Sequence, residues 1–349
     1  MLSMKLFRQA KVRSALRAFC TVSKYEEGSI PDAIKEVRRN NEWLDAVRFD
    51  SQELNWTIKE LDQHTAAFAY GLVERGFAPG DKLLLWVDAE HSAEVAVAQI
   101  GAVKAGVTVV AVDAKDEMHH VGDALEASGA KGLLLSPHTK QDGNHKRANL
   151  LLELMPELAD YYPGQKLVID NFPNLTNIIH TGHSTIRGTN KFKESLVYTK
   201  PHLTNMKIHG SAKSDLAMEF YSKGDLLTSL TNDELLKKAK EVWKKYLSDG
   251  EKHLPVFMTL SLQTPLGFAS FLASVTNGRK VFVPSTYNMA KISKSFNFQR
   301  SDVLVCDEEV YNFEAPEHKA EEIAEHKSLF KKILVPESYA NVNFTVHDN

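Results

Sequence analysis

Residues 54–136 read LNWTIKELDQHTAAFAYGLVERGFAPGDKLLLWVDAEHSAEVAVAQIGAVKAGVTVVAVDAKDEMHHVGDALEASGAKGLLLS. The stretch repeats a helix-then-strand pattern with glycines at the junctions. Thr57 and Glu60 have the spacing of a capping box, and Leu61, Thr65, Phe68, Ala69, Leu72 and Val73 then recur on one helical face. Gly76 closes this helix, and Pro79, Gly80 and Asp81 turn the chain. The apolar run 82–87 reads as a buried strand. Ser92 is placed to cap an alanine-rich helix over 93–104, and Gly106 ends it. The β-branched run 107–112 is a second strand. A helix over 118–128 and a strand over 131–135, stopped by Pro137, follow. Short, wholly apolar strands alternating with helices predict an α/β fold: layered, mostly parallel sheets flanked by helices.

Outward from this unit the pattern continues. Residues 25–40 form a charged helix with Pro31 near its first turn, and 41–49 read as an edge strand leading into Leu54, Asn55 and Trp56. A helix is expected over 148–158, with short strands over 166–169 and 178–179. Residues 180–214 read as loop. After a strand over 216–220, Thr231 and Glu234 repeat the capping-box spacing ahead of a helix over 231–247. Strands are expected over 254–262, 280–283, 302–306 and 329–335, and helices over 266–275, 289–296 and 320–325.

The chain has 349 residues, 43% of them hydrophobic, and a formal net charge of −3. That is enough apolar content for a large core, and there is no basic excess to attract a nucleic acid. Cys20 and Cys306 make neither a disulfide framework nor a metal set, and Cys306 reads as a core residue at the end of an apolar strand. No apolar run approaches the roughly 18 residues of a membrane-spanning helix. Residues 1–24 carry Lys5, Arg8, Lys11, Arg13 and Arg17, with no acidic residue before Glu26. Leu2, Leu6, Ala10 and Leu16 can line one helical face, so the segment has the signature of a mitochondrial targeting sequence, either cleaved or retained; the alternative is an ordinary basic N-terminal helix. His180, His183, His202 and His209 are not spaced as metal ligands and read as surface residues. Asp215, Glu219 and Asp225 can be drawn as Mg²⁺ ligands, but acidic residues beside a strand fix no geometry. Lys237, Lys238, Lys244 and Lys245 lie on the charged face of their helix.

The phrases WTIKELDQHTAAFAYGLVERGFAPGDKLLLW, AVAQIGAVKAGVTVVAVD and HHVGDALEASGAKGLLLS resemble the N-terminal part of the acyl-CoA synthetase, or adenylate-forming (AMP-binding), enzyme family. A fainter likeness covers 254–335, through LSLQTPLGFASFLASVTNGRKVFVPS, SDVLVCDEEVYN and SLFKKILVPES. The resemblance implies a Ser/Thr/Gly-rich phosphate loop ending in Pro-Lys after a short strand. Here the strand over 216–220 is followed by YSKGDLLTSLTNDELLKK, in which Gly224 stands alone near Ser222 and Lys223. A phosphate cradle needs successive backbone N–H groups turned inward, which glycines permit. The resemblance also implies a histidine near the position held by Thr264, and a catalytic lysine in a C-terminal domain beyond Asn349.

Read this way, the family portion is truncated and degenerate. The expectation is a pseudoenzyme with no catalytic residue, no cofactor and no metal: a degenerate phosphate-loop region near Ser222, Lys223 and Gly224, and a lost histidine position near Thr264. The expected role is a non-catalytic accessory subunit of a large mitochondrial assembly, the ATP synthase or a respiratory-chain complex. Its partners would be other protein subunits, with no nucleic acid, and its place the matrix side or periphery of the inner membrane. The alternative is an acyl-CoA-synthetase-like enzyme, or an acyl- or nucleotide-binding protein, with a divergent site. It would need a pocket near Gly224, Thr264 and Gly267. The expected divisions are 1–24, an α/β domain over 25–336 with subregions 54–215 and 216–336, and a polar tail over 337–349.

Overall fold

The computed structural model describes residues 28–113, 116–137, 146–200, 208, 211–250, 253–284, 300–312, 327–338 and 343–348. The targeting-like segment 1–24 with Cys20, His202, His209 and the helices expected over 289–296 and 320–325 lie outside them. In chain order the strands are β1 (Asp45–Phe49), β2 (Leu54–Thr57), β3 (Lys82–Trp86), β4 (Thr108–Val112), β5 (Gly132–Leu135), β6 (Asn177–His180) and β7 (Asn190–Lys191). They continue with β8 (Leu216–Ser222), β9 (Asp225–Thr231), β10 (Val256–Met258), β11 (Val281–Val283), β12 (Val303–Val305), β13 (Lys332–Pro336) and β14 (Phe344–Asp348). The helices are α1 (Ile30–Asn40), α2 (Ile58–Glu74), α3 (Ser92–Lys104), α4 (Met118–Ser128), α5 (Lys146–Leu154), α6 (Asn232–Val242), α7 (Pro265–Thr276) and α8 (Glu308–Tyr311).

Two seven-stranded sheets result: a first, ordered β14-β13-β12-β10-β11-β1-β2, and a second, ordered β7-β6-β5-β3-β4-β8-β9. Both are parallel except for the hairpin partners at their margins, β1–β2 and β13–β14 in the first and β8–β9 in the second. Alternation along each strand sorts the side chains between layers. Leu83 and Leu85 of β3 face a core shared with the first sheet, while Leu84 and Trp86 face a second core under α4 and α5. In the first sheet Val256 and Met258 join the shared core, and Phe257 joins an outer core with Val310 of α8. The helices α1, α2, α3, α6 and α7 contribute to that shared core, so the molecule is layered helix–sheet–helix–sheet–helix. Both faces of each central strand are covered, which is why the strands read as unbroken apolar runs. Burying one such Leu or Val side chain is worth roughly 1.5–3 kcal/mol. Gly101 lets α3 approach α2 closely, since a Cβ there would meet Thr65 O at 2.8 Å.

The unit over 54–136 folds as the sequence leads one to expect, including the reciprocal capping box of Thr57 and Glu60. Elsewhere the structure differs. The 41–49 stretch is not an edge: β1 is interior, parallel to β11 and antiparallel to β2, which takes the edge. Ser92 does not cap α3 but is its first residue, and its hydroxyl donates to Ala89 O. The strand expected over 166–169 does not form, and Pro156 turns the end of the 148–158 helix into a 3₁₀ segment, Pro156–Asp160. The 231–247 helix leaves the α-helical register after Val242 and ends in a π-helical turn, Trp243–Leu247. The residues read as a polar tail include β14, which pairs antiparallel with β13. The expected division between residues 215 and 216 falls inside the second sheet, because β8 returns to pair parallel with β4.

Candidate functional site

In each sheet two neighbouring parallel strands send their following connections in opposite directions. In the second sheet these are β3, which leads to β4 on one side, and β5, which leads to β6 on the other. In the first sheet they are β10 and β12. A crevice opens outside the carboxyl ends of such a pair, and ligands of open α/β sheets bind there. The loop after β3 (residues 87–91) and the loop after β10 (residues 259–264) meet each other. Gln263 Nε2 donates to Val87 O, Gln263 Oε1 accepts from Val87 N at 3.1 Å, and Gln99 Nε2 of α3 donates to Leu262 O at 2.6 Å. Between the loops lies a narrow cleft of about 10 Å³, the space of roughly one water, walled by Asp88, Ala89, Ser92, Ser261 and Gln263.

The polar centre at the carboxyl ends of β3 and β5 is Asp88 with Arg147. Arg147 Nη2 lies 2.7 Å from Asp88 Oδ1, its Nη1 donates to Ser136 Oγ at 2.9 Å, and its guanidinium stacks over the Trp86 ring at 4.2 Å. Asp88 N donates to the same Ser136 Oγ at 3.0 Å. Burial pushes the Asp88 carboxyl above its ordinary range, and Arg147, Ser136 and His91 offset only part of that rise. Arg147 is itself buried, so the site holds a desolvated cation–carboxylate pair beside the cleft. The sequence reading did not single out Asp88, Ser136, Arg147 or Gln263. For Asp88 and Ser136 the signal was positional, polar residues one or two places beyond an apolar strand, and only the strand order gives it meaning; Arg147 and Gln263 lie farther from their strands and carried no such signal.

The residues the sequence did single out fall elsewhere. Ser222 ends β8 and pairs with Asp225 of β9, leaving Lys223 and Gly224 as a two-residue hairpin turn with φ of 52° and 86°. The region read as a degenerate phosphate loop is therefore a hairpin turn, whose second strand the polar Thr228 and Ser229 concealed. Lys223 N donates to Asp116 Oδ2 at 3.2 Å, and a Cβ on Gly224 would meet Asp123 Cβ of α4 at 2.9 Å. The turn's amide thus faces a carboxylate. Burial raises Asp116 above the ordinary carboxyl range, with the Lys223 amide opposing the rise.

Thr264 is the N-cap of α7: its Oγ1 accepts from Gly267 N at 3.1 Å and donates to Ser261 O at 2.8 Å. Gly224 lies against α4 on the outer side of the second sheet, whereas Thr264 and Gly267 begin α7 in the middle layer. Neither the cleft of about 10 Å³ nor a cavity of about 190 Å³ is lined by any of the three.

Glu219 is not poised for a metal: it is buried and paired with Lys82 at 2.8 Å. The Asp215 carboxylate accepts from Ala212 N at 2.7 Å, and among the described residues no three His, Cys, Asp or Glu side chains converge as a metal site. His183 is exposed, but His180, read as a surface residue, is buried at the end of β6, because that strand lies inside the sheet. Cys306 is buried, and burial raises its thiol far above the ordinary range.

Residues 37–222 match the family model described as AMP-binding enzyme. Over 169 residues, 47% of the chain, the sequence is 28% identical to the nonribosomal peptide synthetase atnA of Emericella nidulans, covering 2% of that protein. Over 135 residues, 39% of the chain, it is 26% identical to the mitochondrial medium-chain acyl-CoA ligase ACSF2 of Bos taurus, covering 21% of it. The fold is similar to that of a Mycobacterium tuberculosis fatty acyl CoA synthetase, with a TM-score of 0.66, 14% identity, and 88% of this chain and 59% of that chain covered. The matched regions span well under two thirds of the length of these relatives. Their names are those of synthetases and a ligase, not of subunits of the ATP synthase or a respiratory complex. On that finding the expectation of a non-catalytic accessory subunit, a pseudoenzyme partnered by other subunits of a mitochondrial assembly, is corrected. The family match stands without the qualification that the chain is truncated and degenerate.

Proposed function

The chain belongs to the AMP-binding enzyme family, and from that premise we propose that it is an acyl-CoA-synthetase-like enzyme. It would engage a nucleotide and a carboxylic acid at the crevice where its two parallel sheets face each other. The observation that supports this reading is the reversal of strand connections in both sheets, at β3 and β5 and at β10 and β12, with the loops after β3 and β10 joined by Gln263 on Val87. Attack of a carboxylate on the α-phosphorus of ATP gathers negative charge at the transferring group, and positioned cations stabilise it. Arg147 is the buried cation beside the cleft, held in place by Asp88, Ser136 and the Trp86 ring. In this reading the site diverges from the family pattern at Ser222, Lys223 and Gly224, where a two-residue turn stands in place of a glycine-rich loop, and at Thr264, which caps a helix. An α/β domain over 25–336 remains part of the proposal, and β14 of the first sheet lies beyond that limit.

Mitochondrial placement is part of the proposal. Its support is the mitochondrial ACSF2 relative together with the basic, acid-free segment 1–24. A matrix location would be checked by protease protection in mitochondria stripped of their outer membrane.

The activity test is to supply ATP, Mg²⁺ and a panel of carboxylic acids of graded length and to follow pyrophosphate release, with calorimetric titration of ATP and AMP alongside. Acid-dependent release supports the enzyme. Saturable nucleotide binding without release supports the binding-protein form. The absence of both release and nucleotide binding would overturn the proposal.

A further inference from the structure

A second cavity, of about 190 Å³, opens beside the crevice and is walled by Glu94, Thr181, Gly182, His183, Lys191, Phe192 and Lys193. Three elements build it. Glu94 stands in the first turn of α3, Thr181 follows the last residue of β6, and Lys191 ends β7. The walls are anchored. Thr181 N donates to Leu135 O at 3.0 Å, and Phe192 stacks on Phe68 of α2 with centroids 5.1 Å apart. Gln52 Nε2 donates to Glu94 Oε2 at 2.6 Å. Burial pushes the Glu94 carboxyl up, but His91 and Gln52 more than offset this and hold it below the ordinary range, so the wall carries a carboxylate at neutral pH. Lys191, half-buried, and Lys193, exposed, also line the cavity, with the buried Phe192 between them in sequence.

From acidic and basic residues lining one cavity, Glu94 with Lys191 and Lys193, and the buried Phe192 among them, we infer that this pocket binds a small amino acid as its zwitterion. The ligand carboxylate meets Lys191 and Lys193, and the ligand ammonium meets Glu94, whose two oxygens keep acceptor capacity beyond the Gln52 bond. A singly charged ligand can meet lining groups of one sign only. A zwitterion meets groups of both signs, and its methylenes lie against Phe192. The inference is independent of adenylation at the crevice, because recognition here uses no nucleotide.

The test is calorimetric titration of the full chain, without ATP, with glycine, β-alanine, 4-aminobutyrate and 5-aminovalerate. Valerate and pentylamine serve as probes that keep one charge each. At least one amino acid should bind with Kd about tenfold or more below both single-charge probes. Glu94→Gln should abolish the preference over valerate, and the double variant Lys191→Ala/Lys193→Ala should abolish the preference over pentylamine. The control Lys237→Ala/Lys238→Ala, on the solvated face of α6, should bind as the parent does. No saturable binding, equal binding of valerate and 5-aminovalerate, or binding indifferent to both pocket variants in folded protein would overturn the inference. Pyrophosphate release measured in parallel separates failure of this pocket from failure of the crevice reading.

Discussion

Gln263 grips the peptide on both sides of Val87, donating through Nε2 to its carbonyl and accepting through Oε1 from its N–H, so one buried side chain from the first sheet acts as a strand partner for the second. Replacing it by Leu removes both bonds and strands two buried backbone groups. At about 1–3 kcal/mol for each unsatisfied group, Gln263→Leu should cost roughly 2–5 kcal/mol. Urea denaturation gives the number. A loss under about 0.5 kcal/mol would show that the two loops are held together by other contacts.

Arg147 and Asp88 should respond unequally to neutralisation. Arg147→Met leaves a carboxylate buried without its cation and should cost roughly 3–5 kcal/mol. Asp88→Asn should cost less, because burial already works against the Asp88 charge. The sign for pH follows. A carboxyl raised in the folded state contributes stability that is full below its unfolded pKa and lost as pH rises through the folded one. Arg147→Met removes a cation that opposes the rise, so its penalty relative to the parent should grow as pH climbs from about 4 toward neutrality. Urea midpoints across that range check both statements.

The opposite sign holds at Asp62. Burial raises its carboxyl, but Lys104 and Arg38 more than offset that and hold it below the ordinary range. Lys104 Nζ lies 2.5 Å from Asp62 Oδ1 and donates to Thr65 Oγ1 at 2.7 Å, tying α3 to α2. Stability from a lowered carboxyl is present above its unfolded pKa, about 3.9, and lost as pH falls through the folded value. Lys104→Met should therefore destabilise at neutral pH, and the gap to the parent should narrow between about pH 4 and pH 2. A constant gap over that window in acid titrations monitored by circular dichroism would contradict the pairing.

The turn between β8 and β9 offers a backbone test. Gly224 has φ of 86° and no room for a Cβ against Asp123, so Gly224→Ala should cost on the order of 1–3 kcal/mol. Lys223→Asn should be neutral or stabilising, since Asn tolerates a left-handed conformation. Thermal melts of the two variants check the pair. Equal effects would mean that the hairpin is not the structure at these residues.

What could be read along the chain was whatever depends on neighbours in sequence. The helix from Ile58 announced itself through Thr57 and Glu60, and β3 through an apolar run bounded by a Pro-Gly turn and a helix start. β9 escaped because its edge position leaves Leu226 and Leu227 exposed among polar residues, which blurs the alternation of a half-buried strand. β14 escaped for a similar reason, since most of its residues are open to solvent. The site was less legible than the fold. Attention to a missing glycine loop led away from Asp88, Arg147 and Gln263, whose importance rests on contacts spanning 59 and 176 residues of sequence.

By itself, then, the sequence determined the α/β class, the period of the elements and the likeness to AMP-binding enzymes. Those features follow from local hydrophobic pattern and capping chemistry, which each segment carries within its own residues. The tertiary structure alone decided that two sheets turn their carboxyl ends toward one cleft, that Lys223 and Gly224 form a tight turn facing Asp116 and Asp123, and that Glu94, Lys191 and Lys193 line one cavity. The reason is that strand order and sheet-to-sheet packing depend on which buried surfaces fit together, and that information is shared among residues far apart in the chain.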